Sequence, residues 1–128
     1  TELRHSMAPP VVRSWAENPP AWLEVRSTPA AANDPLLRAL DDGERAALAL
    51  ARALGADLVL VDDRAGVAVA RQQGFAVTGT LGVLDLAARH GLTDLDAAFA
   101  RLKATNFRYR PEIMDALLAQ HKEQAKER

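Results

Sequence analysis

From about residue 40 onward, apolar positions alternate between helical blocks and short extended runs. Ala46 to Leu54 is rich in Ala and Leu, and only Arg45 and Arg52, seven apart, mark a polar stripe, which predicts a helix apolar nearly all round. Asp41 and Glu44 have capping-box spacing before it, and Gly55 closes it. Leu58 to Val61 is a continuous apolar run, the pattern of a parallel strand covered on both faces. Val67 to Gln73 predicts a short helix stopped at Gly74, and Phe75 to Gly79 a second strand. Leu81 to His90 is helical up to Gly91, Thr93-Asp94 opens a helix through Lys103 with Asn106 as its C-cap, and Phe107 to Arg110 is extended. Pro111 to Gln124 is a final amphipathic helix with Ile113, Met114, Leu117 and Leu118 on one side. The first third is less regular. Thr1-Glu2-Leu3 reads as the end of a longer helix, and Pro9 to Trp15 as a short helix broken by Asn18-Pro19-Pro20. Trp22 to Val25 alternates like an edge strand, Ser27 to Pro35 reads as a loop, and Trp15 and Trp22 are expected to anchor the core.

Helix–strand alternation of this kind predicts an α/β fold with a parallel sheet. It also brings carboxylates together. About 13 helical residues at roughly 1.5 Å each run about 20 Å one way, and about six strand residues at roughly 3.3 Å each return about the same distance. Asp62 and Asp63 are thereby expected at the level of Asp41, Asp42 and Glu44, at the carboxyl end of a parallel strand, where open α/β sheets place ligands. Carboxylates converging on one crevice repel each other unless a cation sits between them, and Mg²⁺ or Mn²⁺ are the hard ions suited to oxygen donors. Simpler explanations exist for each pair taken alone: Asp41 with Glu44 is a capping box, and Asp62-Asp63 can begin the next helix as acids beside its dipole.

Composition narrows the class. The chain has 128 residues, 48% of them hydrophobic with few aromatics, as expected of one domain, residues 1–128, with an Ala/Leu/Val core. It contains no cysteine, which excludes disulfides, zinc–thiolate sites and cysteine nucleophiles. No apolar run of about 18 residues is present, so no membrane span is expected, and without a visible signal peptide the expected location is cytoplasmic. A formal net charge of −1 is no global footprint for nucleic acid, so such a partner needs a local basic patch.

Three motifs occur in one order between about Leu40 and Phe107: Leu40-Asp41-Asp42-Gly43-Glu44, the strand end Leu58-Val59-Leu60-Val61-Asp62-Asp63-Arg64, and Gly79-Thr80-Leu81-Gly82-Val83-Leu84. In this order and spacing they resemble a branch of the PIN-domain family described as nucleic-acid-binding proteins and similar to VapC-type toxins. The resemblance implies a PIN-like three-layer fold, with a central parallel sheet and helices on both faces. It also implies an endoribonuclease that uses Mg²⁺ or Mn²⁺, held by three or four acids. Glu44 and Asp62 are then the leading catalytic metal ligands, with Asp63 and Asp41 in support. Glu2 is a further candidate, because Glu2-Leu3 matches the end of the segment that supplies the family's second acid. Arg64 and Thr80 are the candidate substrate contacts. The family's opening strand, which carries its first acid, is not found before these motifs, so the domain is expected to be truncated at its N-terminus. The implied partners are RNA, an antitoxin protein if the chain is the toxin of a toxin–antitoxin pair, and further copies of itself.

Arg64, Arg71, Arg89, Arg101, Lys103, Arg108 and Arg110 are the basic residues to weigh for RNA, with Arg108 and Arg110 alternating around Tyr109. Thr80 is equally expected simply to cap the helix that follows it. His5, His90 and His121 lack ligand spacing and receive no catalytic role. The competing function is a non-catalytic nucleic-acid- or protein-binding PIN-like module. A flavodoxin-like phospho-acceptor domain also uses strand-end carboxylates, but it requires a Lys after a later strand, and none follows one here.

Overall fold

The computed structural model describes residues 4–27, 37–38 and 40–127. Its elements are α1 (Pro10–Glu17), α2 (Asp42–Leu54), β1 (Val59–Leu60), α3 (Arg64–Gln72), β2 (Val77–Thr78), α4 (Thr80–Arg89), α5 (Leu95–Lys103) and α6 (Pro111–Lys126). The capping signals act as expected in α2, where Asp41 accepts from the Glu44 N–H at 2.8 Å and Gly55 closes the helix in the left-handed conformation. β1 and β2 pair in parallel, Val59 opposite Val77, with the Val59 N–H donating to Ala76 and the Val61 N–H to Thr78, both at 2.9 Å. α3 is the crossover between them, so β1–α3–β2 is one parallel α/β unit. Leu37, Leu40, Leu48, Ala51, Val59 and Ala70 form its buried core. A second core of Ala88, Leu95, Phe99 and Met114, lined by Leu81, Leu84, Leu102 and Tyr109, holds α4, α5 and α6 together.

Several expectations need correction. The sheet of the described residues has two strands of two residues each, so an α/β unit is present but the three-layer arrangement is not established. Leu60 is 65% exposed and Leu58 48%, so the apolar run at β1 is not covered on both faces. A continuous run reports hydrophobicity, but coverage depends on what packs there. α2 is likewise buried only along Leu48, Ala49 and Ala51. Trp22 to Val25 forms no strand. Trp15 and Trp22 are exposed by 43% and 77% and meet each other in a tilted pair, ring centroids 6.5 Å apart, instead of anchoring the core. The C-cap of α5 is Ala104, not Asn106. Glu2 and all but the first residue of the Ser27–Pro35 loop lie outside the described residues. Among the described residues no helix is long and apolar enough to cross a membrane.

Candidate functional site

The site is the edge where β1 and β2 run out and α2, α3 and α4 begin. Three helix N-termini meet there, and each takes an acid. Asp41 caps α2, and Asp63 Oδ2 accepts from the Ala65 and Gly66 N–H groups of α3 at 3.0 and 3.2 Å. Asp62 reaches across to α4, accepting the Thr80 N–H on Oδ1 at 2.8 Å and the Thr80 hydroxyl on Oδ2 at 2.6 Å. Each carboxylate neutralises orphan N–H groups and faces the positive end of a helix dipole. Thr80 was expected to cap α4. Instead the N-cap position is Gly79, with no side-chain cap, and Thr80 follows it, so the acceptor comes from Asp62, 18 residues earlier.

Glycines permit the close approach. A Cβ on Gly79 would stand 2.5 Å from Asp62 Oδ1, and one on Gly66 would stand 2.7 Å from Val61 Cγ1 and 3.6 Å from Glu44 Cδ. The first turn of α3 therefore rests directly against the half-buried Glu44.

Glu44 is the electrostatically distinctive group. Burial, then the neighbouring charges of Asp63 and Asp41, push its carboxyl above the ordinary value of 4.5, and a hydrogen bond to Asp63 acts in the same direction. A hydrogen bond from the Asp41 backbone opposes them by favouring the ionised form. The expected convergence is thus present for Glu44, Asp63 and Asp41, while Asp62 is turned toward Thr80. No three His, Asp or Glu side chains among the described residues are grouped so as to hold a metal ion. Their chemistry, hard carboxylate oxygens crowded by like charge, suits a divalent cation. As donors, however, the described residues make a coupled pair with neighbours and not a closed set.

The remaining candidates separate. Arg64 is exposed at the first position of α3, with no ion-pair partner among the described residues. Arg89 is not a free cation, because it pairs at 2.9 Å with Asp85, a buried carboxylate on α4 that sequence reasoning passed over. The i,i+4 spacing of Asp85 and Arg89 was the available signal.

A family model described as a PIN domain matches residues 5–123. No curated protein and no solved structure matches the chain. The family match covers far more than half of the sequence, and the chain belongs to the PIN-domain family. Membership makes it a nuclease-like, nucleic-acid-binding module.

Proposed function

We propose that this PIN-domain chain is a metal-dependent endoribonuclease whose site is the acidic edge formed by Glu44, Asp63, Asp62 and Asp41. The observation that carries the proposal is the gathering of Asp41, Asp62 and Asp63 at the helix N-termini around Glu44, at the carboxyl end of β1, where burial and then the charges of Asp63 and Asp41 push the Glu44 carboxyl up. Crowded carboxylates favour any cation that relieves them, proton or metal. Glu44 and Asp63 are the pair to hold Mg²⁺ or Mn²⁺, with Asp41 and Asp62 beside them. Glu2, the further candidate ligand, lies outside the described residues. A divalent ion supplies charge stabilisation at the scissile phosphate and activation of water.

The chain's own groups have distinct parts in this proposal. Thr80 fixes the Asp62 carboxylate through two hydrogen bonds, so its orientation is set before substrate arrives. Asp63 is fixed by the N-terminus of α3. Arg64, exposed and adjacent to Asp63 in sequence, is the proposed phosphate contact. The finer assignment is the toxin of a toxin–antitoxin pair. Exposed Met7, Val11, Trp22 and Leu60 offer apolar surface to an antitoxin or a second copy.

The alternative, a non-catalytic nucleic-acid- or protein-binding module, is favoured by two observations. Asp41, Asp62 and Asp63 each already serve a helix N-terminus, and no metal-holding group of three is found among the described residues. Cleavage of a mixed RNA pool in Mn²⁺, with EDTA as blank, separates the two. Asp63→Asn should slow cleavage by roughly a hundredfold or more, since a metal site contributes several kcal/mol and each 1.36 kcal/mol is tenfold. Asp94→Asn, at the cap of α5, should cut like the parent. Equal cutting by both variants makes Asp63 a helix-terminus acid only. RNA binding without cutting by any of the three proteins establishes the non-catalytic module.

A further inference from the structure

Between Ala97 and Pro111 the chain carries no acid and four cations, Arg101, Lys103, Arg108 and Arg110. All four are exposed, and none is in an ion pair among the described residues. Arg26, Arg45 and Arg89, by contrast, each pair with a neighbouring acid. In a chain of net charge −1, this is a local concentration of positive charge along the sequence.

Helix lengths and the short connection argue that the chain returns toward the acidic edge here. α4 starts at Thr80, which holds Asp62, and runs about 15 Å away at roughly 1.5 Å per residue. Five residues, 90–94, then lead into α5. A connection that short between helices packed along Leu81–Leu84–Ala88 and Leu95–Phe99–Leu102 makes an antiparallel hairpin. The nine residues of α5 run back about 14 Å, which brings Arg101 and Lys103 to the end of the hairpin where Thr80 lies. The segment 107–110 follows after the turn at 104–106. Its side chains alternate, with Phe107 and Tyr109 half-buried and Arg108 and Arg110 exposed, and Tyr109 packs against the second core. The aromatic ring is therefore committed inward, and what faces solvent is charge without a stacking platform.

We propose that Arg101, Lys103, Arg108 and Arg110 form a track for the phosphodiester backbone of RNA, leading its strand toward the acidic edge, a role that rests on the nuclease reading above. Cations without stacking rings recognise phosphates and not bases, so binding is sequence-independent and strongly salt-dependent. The test is fluorescence anisotropy of the full chain with a labelled mixed-sequence single-stranded RNA 20-mer, in EDTA, from 50 to 200 mM salt. Arg108→Ala/Arg110→Ala should bind roughly tenfold or more weakly at low salt, and its slope of log K against log salt should flatten by about 1.4, at about 0.7 per phosphate contact on a single strand. Lys122→Ala/Lys126→Ala removes the same charge from the exposed far end of α6 and should bind as the parent does. Circular dichroism establishes that each variant is folded. Parent-like binding and slope in the Arg108/Arg110 variant, or equal displacement of the RNA by poly-glutamate at matched charge, overturns the track. Because no cleavage is needed, the two proposals fail separately. A parent that binds through the track but never cuts in Mn²⁺ refutes only the nuclease. A parent that cuts while the variant binds unchanged refutes only the track.

Discussion

The clamp between Asp62 and Thr80 joins the end of β1 to the start of α4, and its strength can be stated. Thr80→Val keeps the β-branched shape and the backbone N–H, so it removes only the hydroxyl bond to Asp62 Oδ2, 2.6 Å long. A hydrogen bond to a charged group contributes about 1.5–3 kcal/mol when shielded. Asp62 is exposed and water competes for it, so the expected loss is about 1 kcal/mol. That corresponds to a fall in melting temperature of about 4 °C for a domain of this size. Asp62→Asn weakens the same bond and also the favourable charge at the α4 N-terminus, a further 0.3–1 kcal/mol or so. Urea unfolding of the parent, both single variants and the double variant closes the cycle. The hydroxyl and the carboxylate should show a coupling energy of about 1 kcal/mol. Losses that simply add, within about 0.3 kcal/mol, would show that the two groups do not interact and that Asp62 is free to turn elsewhere.

Glu44→Gln should change the pH dependence of stability. Because the folded Glu44 holds its proton above the ordinary value of 4.5, the folded state binds more protons than the unfolded state in that window. Stability from this group is thus highest below 4.5 and falls as pH rises through the raised value. Denaturation midpoints across pH 4–8 should show that fall in the parent and its loss in Glu44→Gln; identical profiles refute the crowding. Gly79→Ala should destabilise the fold and loosen Asp62, since its Cβ would stand 2.5 Å from Oδ1, whereas Gly43→Ala meets its nearest atom at an ordinary 3.6 Å and should be tolerated. Equal melting of these two variants refutes the close-approach account. Phe99→Ala, in the core of the helical half, should cost about 3–5 kcal/mol in chemical unfolding, and a loss under 1 kcal/mol would mean that α5 is not anchored there.

Local signals were legible where neighbours in sequence supply the physics. The Asp41–Glu44 cap, the Gly55 stop, the Asp94 cap and the helix–strand–helix order around Asp62 follow from spacing rules that reach three or four residues. The same approach placed Glu44 near Asp63, because helix rise and strand rise nearly cancel over that unit. Longer-range relations were not legible. Nothing local tells that Thr80 would turn from helix cap to hydrogen-bond donor for an acid 18 residues away. Trp15 and Trp22 looked like core residues by type, yet each finds the other and neither joins a core. The run at β1 gave the strand but not the exposure of Leu58 and Leu60, which depends on elements the pattern does not specify. Tyr109 was legible as an aromatic among arginines, but only packing decides that the ring turns inward and leaves the charges outside.

Mn²⁺ titration of the full chain, followed by electron paramagnetic resonance, tests whether Glu44 and Asp63 share one cation-seeking site. Free Mn²⁺ has a sharp six-line signal that is lost on binding. Loss of about one equivalent is expected in the parent, with a rise in melting temperature as binding to the folded state adds RT ln(1 + [L]/Kd). Glu44→Gln and Asp63→Asn should each leave most of the signal free, while Asp94→Asn behaves as the parent. An undiminished Mn²⁺ signal with the folded parent at millimolar metal, or equal binding by Glu44→Gln, would contradict the claim and leave these carboxylates as helix caps alone.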